Sequence, residues 1–268
     1  MAKKGSSTST TKKIRYAVVG LGNIAQVAVL PAFKNAQSNS ELVALVSGDD
    51  QKLEALGKKY KIEHLFNYRD YEKCLQSGLI DAVYICTPNV HHRAFAEEAA
   101  AHGIHVLTEK PMAITVPDCI HMLEAAEDND IKLMVAYRLH FDPANLAAIE
   151  IARSGKLGDI RIFNSTFTFQ ITDPNNIRLK YDMGGGPLFD IGIYCINAAR
   201  YIFQDEPVEV MAMALSNPKD ERFTEVEEMV SVTLRFRGAR IANFVISYGA
   251  DSSASYCVIG TKGCVDLE

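Results

Sequence analysis

Short apolar runs alternate with amphipathic stretches over the first half of the chain. The runs have the length of strands, and the stretches between them have the 3.6-residue periodicity of helices. The predicted strands are 14–19, 41–46, 81–86, 105–108 and 132–136. The predicted helices are 51–60, 70–75, 94–102 and 116–128. This alternation predicts a doubly wound parallel sheet over 14–136.

After Tyr137 apolar and polar residues alternate strictly, which is typical of strands with one buried face. The strands predicted here are 159–171, 208–216, 226–236, 239–248 and 254–259. One helix, 145–153, precedes them and another, 188–203, interrupts the series. We therefore expect an α/β protein whose second domain, 137–268, is α+β with an open, mainly antiparallel sheet.

Composition excludes several classes of protein. The chain has a net charge of -5 with interspersed acidic residues, so it has no general attraction to nucleic acid or to anionic membranes. Its apolar runs are far shorter than the roughly 20 residues that span a bilayer. Met1–Lys13 lacks the apolar segment of a secretory signal. We expect this segment to be a disordered tail, the protein to be cytoplasmic, and the six cysteines to be reduced.

A glycine turn, Gly20-Leu-Gly22-Asn-Ile-Ala25, directly follows the first strand and opens a helical stretch. This is the context in which a Gly-x-Gly-x-x-Ala sequence binds the pyrophosphate of a dinucleotide. Gly20 permits the tight turn, and Gly22 has no side chain to block the anion. The turn therefore predicts a Rossmann domain with a nicotinamide cofactor.

The end of the second strand bears on the choice between NADP and NAD. An acidic residue there binds the ribose hydroxyls of NAD, whereas small polar or basic groups admit the 2'-phosphate of NADP. Ser47 follows the strand and Lys52 lies in the next helix, although Asp49 or Asp50 could accept from ribose hydroxyls. Because no acid stands at the strand end itself, NADP is the favoured cofactor and NAD the alternative.

Two further segments are candidates for catalysis. Glu109-Lys110-Pro111 stands at the carboxyl end of a predicted strand, the edge where doubly wound sheets bind ligands. Asp190 and Tyr194 are four residues apart in the apolar helix 188–203, so we expect them on one face. A lysine ammonium beside a phenol lowers the pKa of the phenol and makes it a usable acid or base.

Metal chemistry is not indicated. His91 and His92 are adjacent and point in different directions, and no second ligand pair follows at zinc spacing. We expect His140 to be structural, although it lies close in sequence to Tyr137.

From Ile14 to its end, the chain resembles the glucose-fructose oxidoreductase and inositol dehydrogenase family (Gfo/Idh/MocA). The segments that carry the resemblance are Gly20–Ala25, Thr87–Asn89, Glu109–Met112, Ala136–Arg138, Gly184–Tyr194 and Asp220–Phe223. The resemblance implies that Lys110 orients substrate and cofactor, that Asp190 supports it, and that Tyr194 donates or accepts the proton. Many relatives have histidine in place of Tyr194. Tyr137 resembles a tyrosine that contacts the lysine, and is expected on the substrate side with the other three.

The turn, the strand ends and the resemblance together assign the cofactor to a larger set of residues. These are Gly20, Gly22, Asn23, Ile24, Ser47, Lys52, Thr87, Pro88, Asn89, His92, Glu109, Lys110 and Arg138. The resemblance further implies a homodimer or homotetramer formed through the C-terminal sheet. Family members continue beyond the position of Glu268, so we expect the second domain to be incomplete in this chain.

The leading hypothesis is hydride transfer between NADP(H) and the CH–OH or carbonyl group of a sugar or polyol. A non-catalytic dinucleotide-binding regulator of the same fold is the alternative from another class. Among enzymes, the alternative is a simple sugar or trans-diol dehydrogenase that releases its cofactor, as opposed to one that retains it between two substrates.

Overall fold

The computed structural model describes residues 12–268, so most of the predicted tail, residues 1–11, lies outside the described residues. The chain divides into two compact units. The first runs to Thr87 and resumes over His91–Ala136, and the second comprises Pro88–Val90 and Tyr137–Glu268.

The first unit is built on a six-stranded parallel sheet with the order β3-β2-β1-β4-β5-β6. Its strands are β1 Ile14–Val19, β2 Ser40–Val46, β3 His64–Phe66, β4 Ala82–Ile85, β5 His105–Thr108 and β6 Leu133–Val135. The doubly wound sheet is confirmed, and β3 is an addition to the predicted strands. The order reverses between β1 and β4, and such a switch point is where open α/β sheets bind ligands.

Among the described residues, five α-helices accompany the sheet of this unit, and side chains cap two of them. A π-helical turn, Ala25–Val29, leads into α1. The α-helices are α1 Leu30–Ala32, α2 Asp50–Tyr60, α3 Tyr71–Gln76, α4 His92–Ala101 and α5 Val116–Asp128. Asp49 caps α2 by accepting from the backbone N–H of Lys52, and Thr115 caps α5 in the same way. Short 3-10 turns lie at Tyr68–Asp70 and Asn89–His91.

Burial on both faces of the parallel sheet explains its apolar strands. In β4, Val83 and Ile85 are fully buried in one hydrophobic cluster, and Tyr84 packs against the cluster on the opposite face. A strand covered on both sides cannot carry polar residues at alternate positions, which is why it reads as a continuous apolar run.

The second unit is built on a mixed six-stranded sheet with the order β12-β11-β7-β10-β9-β8. The strands are β7 Ile160–Thr168, β8 Glu209–Leu215, β9 Met229–Phe236, β10 Arg240–Ser247, β11 Ser253–Gly260 and β12 Cys264–Leu267. The pairs are antiparallel except β7 with β10, which run parallel. The mainly antiparallel second sheet is thus confirmed.

One face of this sheet packs against helices. The α-helices are α6 Pro143–Arg153 and α7 Ile193–Phe203, and a π-helical turn, Leu188–Gly192, leads into α7. Short 3-10 turns lie at Arg138–Phe141, Ile177–Leu179, Tyr181–Met183 and Glu221–Phe223. The alternation in β9 buries every second residue, whereas all seven residues of the edge strand β8 are exposed. None of the helices within residues 12–268 is both long and apolar enough to cross a membrane.

Candidate active site

Four parallel strands of the first unit end in residues predicted to bind the cofactor. Gly20 follows β1, Ser47 follows β2, Thr87 lies two residues after β4, and Glu109 follows β5. The carboxyl ends of parallel strands meet at one edge, so the fold gathers these positions on either side of the switch point.

Position 20 requires glycine because of its backbone conformation and because the neighbouring chain lies close to it. Its φ is +92°, in the region that favours glycine, and a Cβ there would lie 2.8 Å from backbone atoms of both Cys86 and Thr87. Its N–H donates to the carbonyl of Val46. The turn therefore passes over the switch point with no room for a side chain.

Gly22, by contrast, faces open space, because a Cβ there would meet no atom within 4 Å. Asn23 and Ile24 are exposed beside it, and Ile24 retains 39% of its accessible surface. An exposed backbone where a helix begins is suited to an approaching phosphate. The local geometry thus fits a dinucleotide at this turn.

The end of β2 carries a compact polar group. Ser47 is 4% exposed, and its hydroxyl accepts from the N–H of Asp49. Asp49 caps α2 and forms an ion pair with Lys52 at 3.1 Å, while Asp50 accepts from Asn67. Both acids that might bind ribose hydroxyls therefore already have partners within the chain.

Tyr68 also belongs to this group, and sequence reasoning missed it. Its ring lies against Gly48, where a Cβ would come within 2.9 Å of the ring. Burial raises the pKa of its phenol, and hydrogen bonding with Ser47 and the Gly48 backbone partly offsets the rise. A tyrosine two residues after the short strand β3 was the available signal, but that strand was not predicted.

Thr87 carries a buried hydroxyl that has no hydrogen-bond partner within the described part of the chain. The residue is 8% exposed and adjoins Gly20 at the switch point. An unpaired buried hydroxyl is costly unless a ligand completes it. Thr87 therefore fits a cofactor oxygen or amide better than it fits a purely structural role.

Substituting Thr87 with valine should have opposite effects on stability and on binding. Without cofactor, we expect the free energy of unfolding to rise by about 1 kcal/mol, because the uncompensated hydroxyl is removed. With cofactor, we expect the Kd of NADP(H) to rise about tenfold. Urea denaturation and a fluorescence titration of NADPH measure the two quantities.

The matched control is Thr108→Val at the end of β5. Thr108 is fully buried, and its hydroxyl donates to the carbonyl of Glu109, so this variant should lose stability. A Thr87→Val protein that is less stable and binds NADPH normally would contradict the assignment.

His92 joins two loops of the site. It is fully buried, its Nδ1 lies 2.8 Å from the carbonyl oxygen of Pro111, and its Nε2 lies 3.0 Å from that of Thr87. Burial lowers its pKa, although the two carbonyls act in the opposite direction. The imidazole therefore lies between the loop after β4 and the turn after β5 and contacts both.

The turn after β5 holds the candidate lysine. Glu109 accepts from the hydroxyl of Tyr84 at 2.9 Å and from the N–H of Lys110 at 3.3 Å. The Lys110–Pro111 peptide is cis, and the carbonyl of Pro111 is bound by His92. The backbone on both sides of Lys110 is therefore anchored.

In the second unit, Asp190 lies in the π-helical turn that precedes α7. The Nε of Arg178 donates to its Oδ2 at 2.7 Å, and the hydroxyl of Tyr248 donates to the same oxygen at 3.0 Å. The Asp190 side chain is only 14% exposed. Two donors on a mostly buried carboxylate favour its ionised form.

Tyr194 lies one turn further along, at the start of α7. Its ring contacts those of Tyr137 and Phe167, with centroids 6.3 and 5.7 Å apart. His140 packs on the ring of Tyr201 at 4.0 Å, and burial lowers its pKa. The structural role expected for His140 is consistent with this packing.

The remaining predicted residues lie in loops of the second unit. Asn89 donates from its side-chain amide to the carbonyl of Gly184 at 2.8 Å, and Pro88 directly precedes it. Arg138 is exposed in the 3-10 turn after Tyr137. Over residues 12–268, no group of three or more His, Cys, Asp or Glu side chains could hold a metal ion.

The glycine turn at the switch point, the open backbone at Gly22 and the unpaired Thr87 hydroxyl are typical of a dinucleotide-binding Rossmann domain. Family models match both halves of the chain. Residues 14–137 match the "Oxidoreductase family, NAD-binding Rossmann fold" and residues 145–266 match the "GFO/IDH/MocA C-terminal domain". The chain belongs to the Gfo/Idh/MocA family of oxidoreductases, as the sequence resemblance predicted.

Named relatives and solved structures agree with this membership. A D-xylose 1-dehydrogenase (NADP(+)) of Haloarcula marismortui is 32% identical, with the match covering 97% of this chain and 74% of that protein. A trans-1,2-dihydrobenzene-1,2-diol dehydrogenase of Mus musculus is 27% identical over 95% of this chain and 74% of its own length. The crystal structure of an aldose-aldose oxidoreductase from Caulobacter crescentus, complexed with glycerol, superposes with a TM-score of 0.92 at 41% identity, covering 96% of this chain and 77% of that one.

Proposed function

We propose that the protein transfers a hydride between NADP(H) and the CH–OH or carbonyl group of a sugar or polyol. The observation that carries this proposal is the Asp190 carboxylate, held by Arg178 and Tyr248 one turn before Tyr194. Relatives named as xylose, aldose and dihydrodiol oxidoreductases support the substrate class.

The proposal assigns Lys110, Asp190 and Tyr194 to one reaction. When bound, the nicotinamide supplies the hydride acceptor or donor. Tyr194 removes the hydroxyl proton as the alcohol is oxidised and returns it in the reverse direction. The ammonium of Lys110 favours the phenolate and binds the reacting oxygen, and Asp190 accepts a hydrogen bond from the substrate. The chain thus provides position and charge, because the cofactor provides the redox step.

A substrate panel followed by the absorbance of the reduced nicotinamide tests the function. We expect oxidation of at least one aldose, polyol or trans-diol with NADP as oxidant. Tight NADP(H) binding without turnover of any such substrate would instead favour a non-catalytic regulator.

The absorbance spectrum of the freshly purified protein separates the two kinds of enzyme. A protein that retains its cofactor between two sugars would carry bound nicotinamide through purification. A simple dehydrogenase would be free of it and would require added NADP.

The preference for NADP is proposed from the end of β2. Lys52 lies five residues after Ser47, where it pairs with Asp49, and Asp50 accepts from Asn67. We expect Lys52→Ala to raise the KM for NADP about tenfold and to leave the KM for NAD unchanged, because only NADP carries the 2'-phosphate.

Lys58→Ala, in the last turn of the same helix, is the matched control and should change neither constant. Equal changes in both KM values for Lys52→Ala would show that the lysine does not distinguish the two cofactors.

The exposed strand β8 is the proposed contact with a second copy of the chain. Val210, Met211, Met213 and Leu215 retain 69%, 75%, 62% and 53% of their accessible surface. An apolar edge strand of this kind marks an interaction surface. Sedimentation velocity should show a dimer or tetramer, and a monomer at micromolar concentration would contradict this.

A further inference from the structure

Arg178 lies in the second unit, in a backbone segment fixed from three sides. Its N–H donates to the side chain of Asn176 at 3.1 Å, and its carbonyl accepts from the N–H of Gly186 at 2.9 Å. At Gly185 a Cβ would come within 2.5 Å of the same carbonyl oxygen. The glycine run therefore packs directly on this segment, and only residues without side chains permit the approach.

The anchored backbone directs the guanidinium to Asp190. Nε donates to Asp190 Oδ2 at 2.7 Å, while the Arg178 side chain remains 40% exposed. The hydrogen bond to Asp190 uses Nε, one of the three guanidinium nitrogens of Arg178. Tyr194 follows Asp190 by four residues, about one helical turn, which places its phenol on the same side of the helix as the carboxylate that Arg178 holds. The charges of Arg178 and Tyr194 interact favourably.

Tyr248 completes the support of Asp190 but is unsuited to proton transfer. Its side chain is fully buried. Burial is the main reason, and the charge of Asp190 the second, why the pKa of its phenol lies far above the ordinary value. Its hydroxyl therefore stays protonated and serves as a fixed donor to Oδ2. In the proposed mechanism the phenol that moves the proton is therefore Tyr194, and Tyr248 has a structural role.

We propose that Arg178 is a positioning residue of the reaction, which fixes Asp190 as an oriented carboxylate and supplies a permanent cation that favours the phenolate of Tyr194. The catalytic part of this inference rests on the proposed function. Guanidinium remains charged throughout the pH range in which a phenol titrates, so its effect does not fade as a lysine's would.

The test follows the ionisation of Tyr194 directly, in protein without substrate. Tyrosine labelled with ¹³C at Cζ reports each phenol by NMR, and Tyr194→Phe assigns the signal. We expect Arg178→Gln to raise the pKa of Tyr194 by about one unit, because an opposite charge near the phenolate is lost. A lysine loses its charge in the same pH range as the phenol, so Arg178→Lys should retain part of the effect and give a smaller rise than Arg178→Gln.

Arg161→Gln is the matched control, because Arg161 is also paired with an aspartate and its side chain is 42% exposed. It should leave the Tyr194 titration unchanged. Thermal unfolding checks that each variant is folded. If Arg178→Gln does not fold, Arg178→Met replaces it in the test, with the same expected shift in the pKa of Tyr194.

An unchanged Tyr194 titration in Arg178→Gln, or an equal rise in Arg178→Lys or Arg161→Gln, would overturn the inference. The pH profile of kcat/KM should shift in the same direction as the NMR titration. If the wild type oxidises no substrate, the proposed function fails while the titration still decides the role of Arg178. If the wild type is active and the titration is unaffected, only the inference about Arg178 fails.

Discussion

Replacing Lys110 with methionine should lower kcat by about a thousandfold while leaving the Kd of NADP(H) within about threefold of its original value. Methionine has a similar length and volume, so the anchored turn between Glu109 and Pro111 keeps its packing. What is lost is the positive charge that, in the proposed mechanism, stabilises the phenolate and the substrate oxygen. Steady-state kinetics on the best substrate and a fluorescence titration of NADPH give the two values.

Lys132→Met is the control for this substitution. Lys132 is an exposed lysine of the same unit, just before β6, and its replacement should affect neither constant. If kcat of Lys110→Met equals that of Lys132→Met, Lys110 has no part in the chemistry.

Gly20→Ala should destabilise the first unit by roughly 3 kcal/mol. The added Cβ would meet backbone atoms of Cys86 and Thr87 at 2.8 Å, and backbone in the centre of a sheet cannot move aside as a flexible side chain would. The positive φ adds strain to the clash. Urea denaturation measures the loss, and we expect NADP(H) binding to fall with it.

Substitutions at two other glycines distinguish the effect of backbone strain, the effect of the clash and the effect on cofactor binding. Gly103 also has a positive φ, +71°, but a Cβ there meets nothing within 4 Å, so Gly103→Ala should cost only about 1 kcal/mol of strain. Gly22→Ala should keep the stability and lose cofactor affinity, because its Cβ would fill the space left for the pyrophosphate. A Gly20→Ala protein as stable as Gly103→Ala would refute the packing argument.

Much of the first unit was predictable because its signals are local. Its buried parallel strands are mostly apolar, and α5 has a threonine cap with a proline in its first turn, so the predicted ranges 14–19, 105–108 and 116–128 agree with the structure to the residue. Strand β3 was missed because its three residues are exposed or half-buried at a sheet edge, and edge strands lack the apolar signature.

The second sheet shows what periodicity cannot supply. Alternation identifies which side chains face inward, and β9 follows it at every position. It contains no information on which strands become neighbours, so the parallel pairing of β7 with β10 was not foreseen. That pairing joins residues almost 80 positions apart, as in the bond between Asn243 and Asn164.

In the candidate site, too, some residues were predictable from local sequence and others were not. Gly20, Lys110, Asp190 and Tyr194 stand in recognisable sequence contexts. The groups that support them do not, because they are remote in the chain: Arg178 is 12 residues from Asp190 and Tyr248 is 58 residues from it. Only folding shows that these side chains converge on one oxygen atom.

The buried imidazole of His92 has a consequence for protein engineering. Its two ring nitrogens lie within hydrogen-bond distance of the carbonyls of Thr87 and Pro111, and the neutral imidazole donates to one of them. The two loops therefore pack against the same side chain. If one of these loops alone were replaced by the loop of another family member, the contact between His92 and the other loop would be lost. Attempts to redirect specificity by loop grafting should therefore exchange residues 87–92 and 109–112 together.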